Sequence, residues 1–383
     1  MESQTKKAYQ MKKVLAIAPY RFLPACSGGH RYIEGMYQAL SLHTQLTVVS
    51  TADNTIDGQC TYRILPLLSN SFFRYADLTL RGTIGDLVRR NQYDLFVWEH
   101  PYFAWLANLI KKDTGTPYLL RTHNIEYQRF RSLHKFWWPL LEPYEKWGFQ
   151  QADFISFISD NDKNFATTAW HIEPSRCMEI PYGIQHDKIP ANKAQARQLI
   201  RERYGIAQNE QVLLFNGPLN YAPNREALES IIECMEPPLR DQVGAYKIII
   251  CGGPAPKGWK YQKRIQNNPY IEAGFVDDIN NHVMAADLLL NPVQKGGGIK
   301  TKIIESISLG TPVLTTPSGA MGIDNKITGN YMHVLQERAW DQWALKIASL
   351  LHNPSFQEES LAAFFDHYNW AKIIERVLKR LPN

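Results

Sequence analysis

The chain has 383 residues, 44% hydrophobic and 21% charged, a globular balance in a length that suggests two domains rather than one core. Its formal net charge is +5, with 21 basic and 18 acidic side chains in residues 1–190 and 21 and 19 in the remainder, so neither half has the basic excess of a nucleic-acid binder. No apolar run approaches the ~18 residues of a membrane-spanning helix, and five scattered cysteines without a C-x-x-C pair fit a reducing cytoplasm rather than a disulfide framework.

Residues 1–10 read as a polar extension. Lys12 and Lys13 precede Val14-Leu15-Ala16-Ile17-Ala18, but Pro19 and Arg21 end that run too early for a secretory signal, so it reads as a buried first strand. Further apolar runs predict strands near 45–50, 61–65, 94–98, 117–121 and 153–158, with helices near 30–41, 77–91, 102–112 and 136–151. Turn-rich Ile180-Pro181-Tyr182-Gly183 and Ile189-Pro190 mark a link, after which the rhythm restarts. Strands are predicted near 211–216, 245–251, 271–275, 286–291 and 312–315, and helices near 223–236, 260–267, 278–285, 299–309 and 338–352. Such alternation belongs to parallel sheets. The expected fold class is α/β, with two Rossmann-like doubly wound domains, 11–190 and 191–360, facing each other across a cleft. Trp370, Ile373, Ile374, Val377, Leu378 and Leu381 recur at helical spacing, and 361–383 is expected to pack back on the first domain.

In open parallel sheets, ligands sit beyond the carboxyl ends of the strands. There, Ser27-Gly28-Gly29-His30-Arg31 opens a helix, and paired glycines let backbone N–H groups approach an anion, although such a turn also needs glycine for geometry alone. His100 and His123 each follow a strand, so a parallel sheet would bring both imidazoles to the edge that carries Gly28 and Gly29. The densest constellation runs Lys295-Gly296-Gly297-Gly298-Ile299-Lys300-Thr301-Lys302-Ile303-Ile304-Glu305. An isolated helix favours carboxylates in its first turn, so Lys300 and Lys302 there make sense if an anion such as a diphosphate binds that end. Glu305 is either an ion-pair partner of Lys302 or an acceptor for a ribose diol. The spacing fails G-x-x-x-x-G-K-[ST], which disfavours a P-loop NTPase. Asp160-Asn161-Asp162 could pass for a metal-holding D-x-D, but Ser159-x-x-Asp162 after a strand reads as a capping box, and no metal site is expected.

In order and spacing these residues resemble the GT-B glycosyltransferases of family 4, the retaining, nucleotide-sugar-dependent group, from about residue 11 to 381. The likeness lies in Gly28-Gly29, His123-Asn124-Ile125-Glu126-Tyr127, Ile158-Ser159 with Ile180-Pro181-Tyr182-Gly183-Ile184, and Phe215-Asn216-Gly217-Pro218-Leu219-Asn220 with Pro223-Asn224. It continues in Gly274-Phe275-Val276-Asp277-Asp278 with Ala286-Asp287, in Gly310-Thr311-Pro312-Val313 and in Asn369-Trp370. The resemblance implies transfer from a nucleoside diphosphate sugar, UDP- or GDP-linked, to a glycan, lipid-linked or small-molecule acceptor, with retention and with no cofactor. His100, His123 and Lys300 are the expected catalytic residues. Gly28, Gly29, Gly217, Asn220, Asn224, Val276, Gly297, Gly298, Lys300, Thr301, Lys302 and Glu305 are the expected donor contacts. Closure about 185–195 and 355–370 is expected to complete the site.

Two departures stand out. The family's usual pair of glutamates, seven residues apart, keeps only the second, Glu305, which implies a ribose role; Gly297 stands at the first. Pro218-Leu219-Asn220 lies near where many members carry Arg or Lys, a charge that Lys300 or Lys302 could supply. A non-hydrolysing UDP-sugar 2-epimerase and a catalytically silent nucleotide-sugar-binding protein are therefore alternatives. Finally, Arg129 to Leu141 mixes basic residues with Phe136, Trp137 and Trp138, and Phe72, Phe73 and Arg74 could add to that surface. Peripheral contact with the inner face of the membrane is expected if the acceptor is lipid-linked, unless these rings pack a helix against the sheet.

Overall fold

The computed structural model describes residues 11–56, 60–354 and 356–381, so the expected extension 1–10 lies outside the described residues. The chain divides into two compact units, Met1–Gly183 with Trp370–Asn383, and Ile184–Asn369. The boundaries therefore fall at 183 and 369 rather than at 190 and 360, and residues 361–369 belong to the second unit.

The first unit holds a seven-stranded sheet: β1 (Lys13–Ile17), β2 (Gln45–Thr51), β3 (Arg63–Leu68), β4 (Leu95–Glu99), β5 (Tyr118–Arg121), β6 (Phe154–Phe157) and β7 (Cys177–Glu179). Their order is β3-β2-β1-β4-β5-β6-β7, and every pairing is parallel. Every residue of β4 and β5 is buried, which explains why these strands read as unbroken apolar runs instead of alternating ones. The chain runs outward through β2 and β3, then returns to place β4 on the other side of β1. That reversal sets a crevice at the carboxyl ends of β1 and β4. Helix Trp370–Arg380 completes this unit by burying Trp370, Ile373, Ile374 and Val377. The Trp370 indole stacks on Tyr32 with centroids 6.0 Å apart. A Cβ at Gly35 or Gly183 would strike that indole, so glycine is the residue that lets it seat.

The second unit repeats the plan with β8 (Gln211–Asn216), β9 (Tyr246–Cys251), β10 (Tyr270–Gly274), β11 (Leu288–Asn291), β12 (Val313–Thr315) and β13 (Met332–Val334), all parallel, in the order β10-β9-β8-β11-β12-β13. Here the reversal lies between β8 and β11. Its core gathers Leu213, Phe215, Ile248, Ile250, Leu288, Leu290 and Trp343.

Several elements differ from expectation. β7 and β13, three residues each, and helices Glu126–Ser132 and Lys193–Tyr204 are additional. Residues 260–267 form successive turns instead of a helix. Side chains of this stretch and of Trp259 just before it are held from outside: Trp259 donates to Glu229, Gln262 to Glu272, and Arg264 to Glu236. Ser159 Oγ accepts from the Asp162 N–H at 3.3 Å, so the Asp160-Asn161-Asp162 segment caps helix Asp160–Ala169.

Candidate functional site

At the carboxyl ends of β4 and β5 the first unit gathers a buried polar cluster. Glu99 ends β4 and Arg121 ends β5, and the guanidinium reaches Glu99 Oε1 at 2.8 Å while its other nitrogen donates to the Tyr32 carbonyl at 2.9 Å. His123 Nε2 lies 2.6 Å from the second Glu99 oxygen. Burial alone would raise the Glu99 pKa, but the Arg121 charge and the His123 hydrogen bond hold it down at about 2. An ionised carboxylate only accepts, so His123 Nε2 carries the proton. Burial, with the neighbouring His100 adding, lowers the His123 pKa to about 3, so this imidazole is neutral at ordinary pH.

His100 has φ +63°, an uncommon backbone state for a residue with a Cβ, and it turns the imidazole back over His123 with centroids 4.0 Å apart. Its Nδ1 lies 3.2 Å from Glu126 Oε1 and its Nε2 lies 2.7 Å from the Tyr20 hydroxyl. Burial opposes ionisation of Glu126, but the His100 hydrogen bond and the Arg129 charge, 3.0 Å away, hold its pKa at about 2. Burial, with Glu99 and Glu126 adding, keeps the Tyr20 phenol protonated far above its ordinary range, so no phenolate charge stands beside the His100 ring. Glu145 accepts the Glu126 and Tyr127 N–H groups at 2.8 and 2.9 Å and so pins the first turn of helix Glu126–Ser132. Both expected histidines therefore meet in one cluster, but His100 uses both ring nitrogens within it.

Gly28 and Gly29 open helix Gly28–Ser41 behind the Ser27 cap, which accepts from His30 N–H. Gly29 is exposed, and a Cβ there would meet nothing within 4 Å. His30 lies 6.1 Å from the Tyr20 ring, which places this turn beside the His100 cluster.

The second unit carries a cation-bearing loop at the β8–β11 reversal. Gly296 (φ +97°) and Gly298 (φ +74°) give the 296–298 turn a left-handed path. The Lys300 ammonium caps that turn, bonding the Gly296, Gly297 and Gly298 carbonyls at 2.9, 3.2 and 2.9 Å. Lys300 is the N-cap of helix Thr301–Ser308, whose first turn has no acidic residue. Lys302, in the first turn of that helix, donates to the Asn216 carbonyl at 2.7 Å and approaches Asn224 Oδ1 at 3.4 Å. Burial lowers the Lys300 pKa to about 8; burial, then repulsion from Lys300, lowers Lys302 to about 7 against the pull of Glu305. Gly217 (φ +149°) lies so close to Asn224 that a Cβ would come within 2.7 Å of its amide carbon, and a Cβ on Gly296 would come within 2.8 Å of the Tyr221 hydroxyl. The two loops thus adjoin, bringing together Gly217, Asn224, Gly297, Gly298, Lys300, Thr301 and Lys302. Glu305 is half-buried in the same helix, Asn220 is exposed in the 218–221 turn, and Val276 lies after β10, beyond β9 from the reversal.

Sequence reasoning missed Glu99, Arg121, Glu126, Glu145 and Tyr20. Glu99 adjoins His100 and Glu126 follows His123 by three residues, so the histidine segments themselves carried that signal. Among the described residues no group of three or more His, Cys, Asp or Glu is placed to hold a metal, and no helix is long and apolar enough to cross a membrane.

Comparison with known proteins sharpens this picture. The chain is similar in structure to a glycosyltransferase from Rickettsia africae (15% identity, 97% of this chain and 98% of that one, TM-score 0.70). It is also similar to a sucrose-phosphate synthase from Thermosynechococcus elongatus (15%, 96% and 98%, TM-score 0.69). A third similar structure is Anabaena HepE in complex with UDP (14%, 96% and 98%, TM-score 0.71), which is also described with UDP-glucose. Among curated proteins, none matches the chain. Residues 27–188 match the model described as Glycosyltransferase Family 4, and residues 210–353 match the one described as Glycosyl transferases group 1. Apart from β1 and Tyr20, which precede residue 27, the strands of both sheets and the residues of both polar clusters fall within these two segments, and the chain belongs to the GT-B glycosyltransferases of family 4.

Proposed function

We propose that the protein transfers a glycosyl group from a nucleoside diphosphate sugar to an acceptor hydroxyl with retention at the anomeric carbon, without a metal. The observation that carries this reading is the 296–302 segment. Lys300 draws three consecutive carbonyls to itself, which leaves the N–H sides of those peptides for an anion. Two lysines and a helix N-terminus without a first-turn carboxylate then supply the positive charge that a diphosphate requires. Charge builds on the leaving phosphate as the glycosidic bond breaks, so these donors stabilise the transition state more than the ground state. Glu305 accepts from the ribose diol. In the first unit, neutral His123, fixed by Glu99, contacts sugar or acceptor hydroxyls, while His100 is held by Glu126 and Tyr20 and orients it. Gly28 and Gly29, at the start of helix Gly28–Ser41, are the first unit's own backbone donors toward an anion. Retention follows if the leaving phosphate itself takes the acceptor proton during front-face attack.

UDP is the first nucleotide to test, since the similar HepE binds it. Calorimetry with UDP and GDP, followed by incubation of UDP-glucose with and without candidate acceptors and NMR of the product anomer, tests the reading. Donor turnover to a 2-epimer without acceptor would favour the epimerase alternative; binding without turnover in any acceptor screen would favour a silent binder. An inverted product would remove the stereochemical claim.

A further inference from the structure

We propose that the carboxyl end of the first unit's sheet docks on an anionic lipid bilayer through two aromatic arms, independently of whether the glycosyl-transfer reading holds. The first arm is the turn after β3, where Phe72 and Phe73 are 80% and 82% exposed. The second is the turn into helix Trp138–Gln151, where Phe136 is 89% and Leu140 77% exposed. Exposure on this scale is unusual for rings within a folded unit, because each leaves apolar area in water that burial would favour by ~1.5–3 kcal/mol.

The aromatic-rich segment divides its labour. Trp138 and Leu141 pack against the core, and Glu145, Gly148 and Phe149 are buried, so this side of the helix belongs to the unit. Phe136 and Leu140 have no such role. Both arms flank the turn that follows β4. Phe72 meets Tyr75 at 5.5 Å, and the Tyr75 carbonyl accepts from the Trp105 indole at 2.9 Å. On the other side, Tyr144 accepts from the Trp105 N–H at 3.3 Å and donates to the Tyr102 carbonyl at 3.1 Å. The arms are thus braced on one rigid turn at the end of the sheet that carries His100 and His123.

Charge selects the partner. Between Glu126, which pairs with Arg129 at 3.0 Å, and Glu142 the chain carries Arg131 and Lys135 and no Asp or Glu. The Arg131 guanidinium lies 5.1 Å from the Trp138 ring centre and the Lys135 ammonium 5.6 Å from that of Trp137. Asp77, the acidic residue near the first arm, is turned to the Thr79 N–H and hydroxyl at 3.0 and 2.6 Å. Rings that protrude beside the Arg131 and Lys135 cations match a surface of anionic headgroups over acyl chains.

Flotation with vesicles of phosphatidylcholine containing phosphatidylglycerol, against vesicles of phosphatidylcholine alone, tests this directly. The full chain is expected to float with the anionic vesicles at low salt and to be released at high salt. Phe72→Ser with Phe73→Ser, and separately Phe136→Ser with Leu140→Ser, should each lower partitioning at least about tenfold without changing thermal melting. Arg131→Gln with Lys135→Gln should lower it by about fivefold per charge and flatten the salt dependence. No flotation at low salt would overturn the proposal, as would flotation that neither pair of apolar substitutions weakens. Self-association in gel filtration that these substitutions abolish, with no lipid binding, would instead assign the arms to a second copy.

Discussion

In the first unit the cluster holds two ion pairs: Arg121 faces Glu99, and Glu126 faces Arg129. In the second unit Lys300 and Lys302 are hydrogen-bonded to carbonyl and amide oxygens, and no carboxylate stands in the helix's first turn. The first arrangement is electrically complete, so it persists as built and serves to orient imidazoles. The second holds two amines without a carboxylate in the helix's first turn, and burial, with mutual repulsion adding at Lys302, depresses both of their pKa values. A cluster that folding alone satisfies is a scaffold for chemistry; one that folding leaves unsatisfied is where an anion binds.

The comparison breaks most sharply in activity. Lys300→Ala removes both the cap of the 296–298 turn and one of the two cations, and should lower kcat about 10²–10³-fold with little effect on melting. Full turnover in that variant would remove the central site. Stability should show the reverse ranking. Glu99→Gln leaves the buried Arg121 without its counter-charge and should cost about 3–5 kcal/mol by chemical denaturation, whereas Lys302→Met should cost far less. A destabilisation of equal size in both would mean that the second cluster is also structural.

The smallest effect, and the most diagnostic, lies in pH. Glu99 and Glu126 have folded pKa values of about 2, below their ordinary 4.5, so their contribution is fully present above 4.5 and is lost as pH falls toward 2. Lys302 behaves oppositely. Its folded pKa of about 7 lies below its ordinary 10.5, so the unfolded chain binds more protons between them and stability rises with pH across that window. A bound diphosphate favours the charged amines, so UDP affinity should weaken as pH rises from about 6 to 9, with proton uptake on binding near pH 8. Calorimetry in buffers of different ionisation enthalpy reads that uptake directly. A pH-independent affinity would mean that neither lysine meets the phosphates.

Much of this was legible in the chain. The long central strands announce themselves because burial on both faces leaves Leu95 to Trp98 and Leu288 to Leu290 uniformly apolar. The 296–302 loop was legible through a local misfit, cations where a helix wants anions. What escaped notice has physical reasons. β7 and β13 are three residues long, too short to show any period. Helix Lys193–Tyr204 buries only Ala196, Ile200 and Arg201, so its sequence looks like a polar linker. Glu126 and Glu145 escaped because a carboxylate is ordinarily assigned to the surface, and nothing in the order of residues says that a helix 18 positions later will carry Glu145 to the Tyr127 N–H. Likewise, 260–267 has helical spacing, but its anchors lie on Glu229, Glu236 and Glu272, which only the fold brings near.

The seat of Trp370 between Gly35 and Gly183 has a consequence for the order of assembly. The second unit is one continuous stretch of chain, Ile184–Asn369, but the first needs residues from both ends. During synthesis its sheet emerges complete while the groove beside Tyr32 still waits for an indole that is made nearly 190 residues after Gly183. The unit that starts first therefore finishes last. Until Trp370 leaves the ribosome, the first unit lacks the indole that packs on Tyr32 and against Gly35 and Gly183.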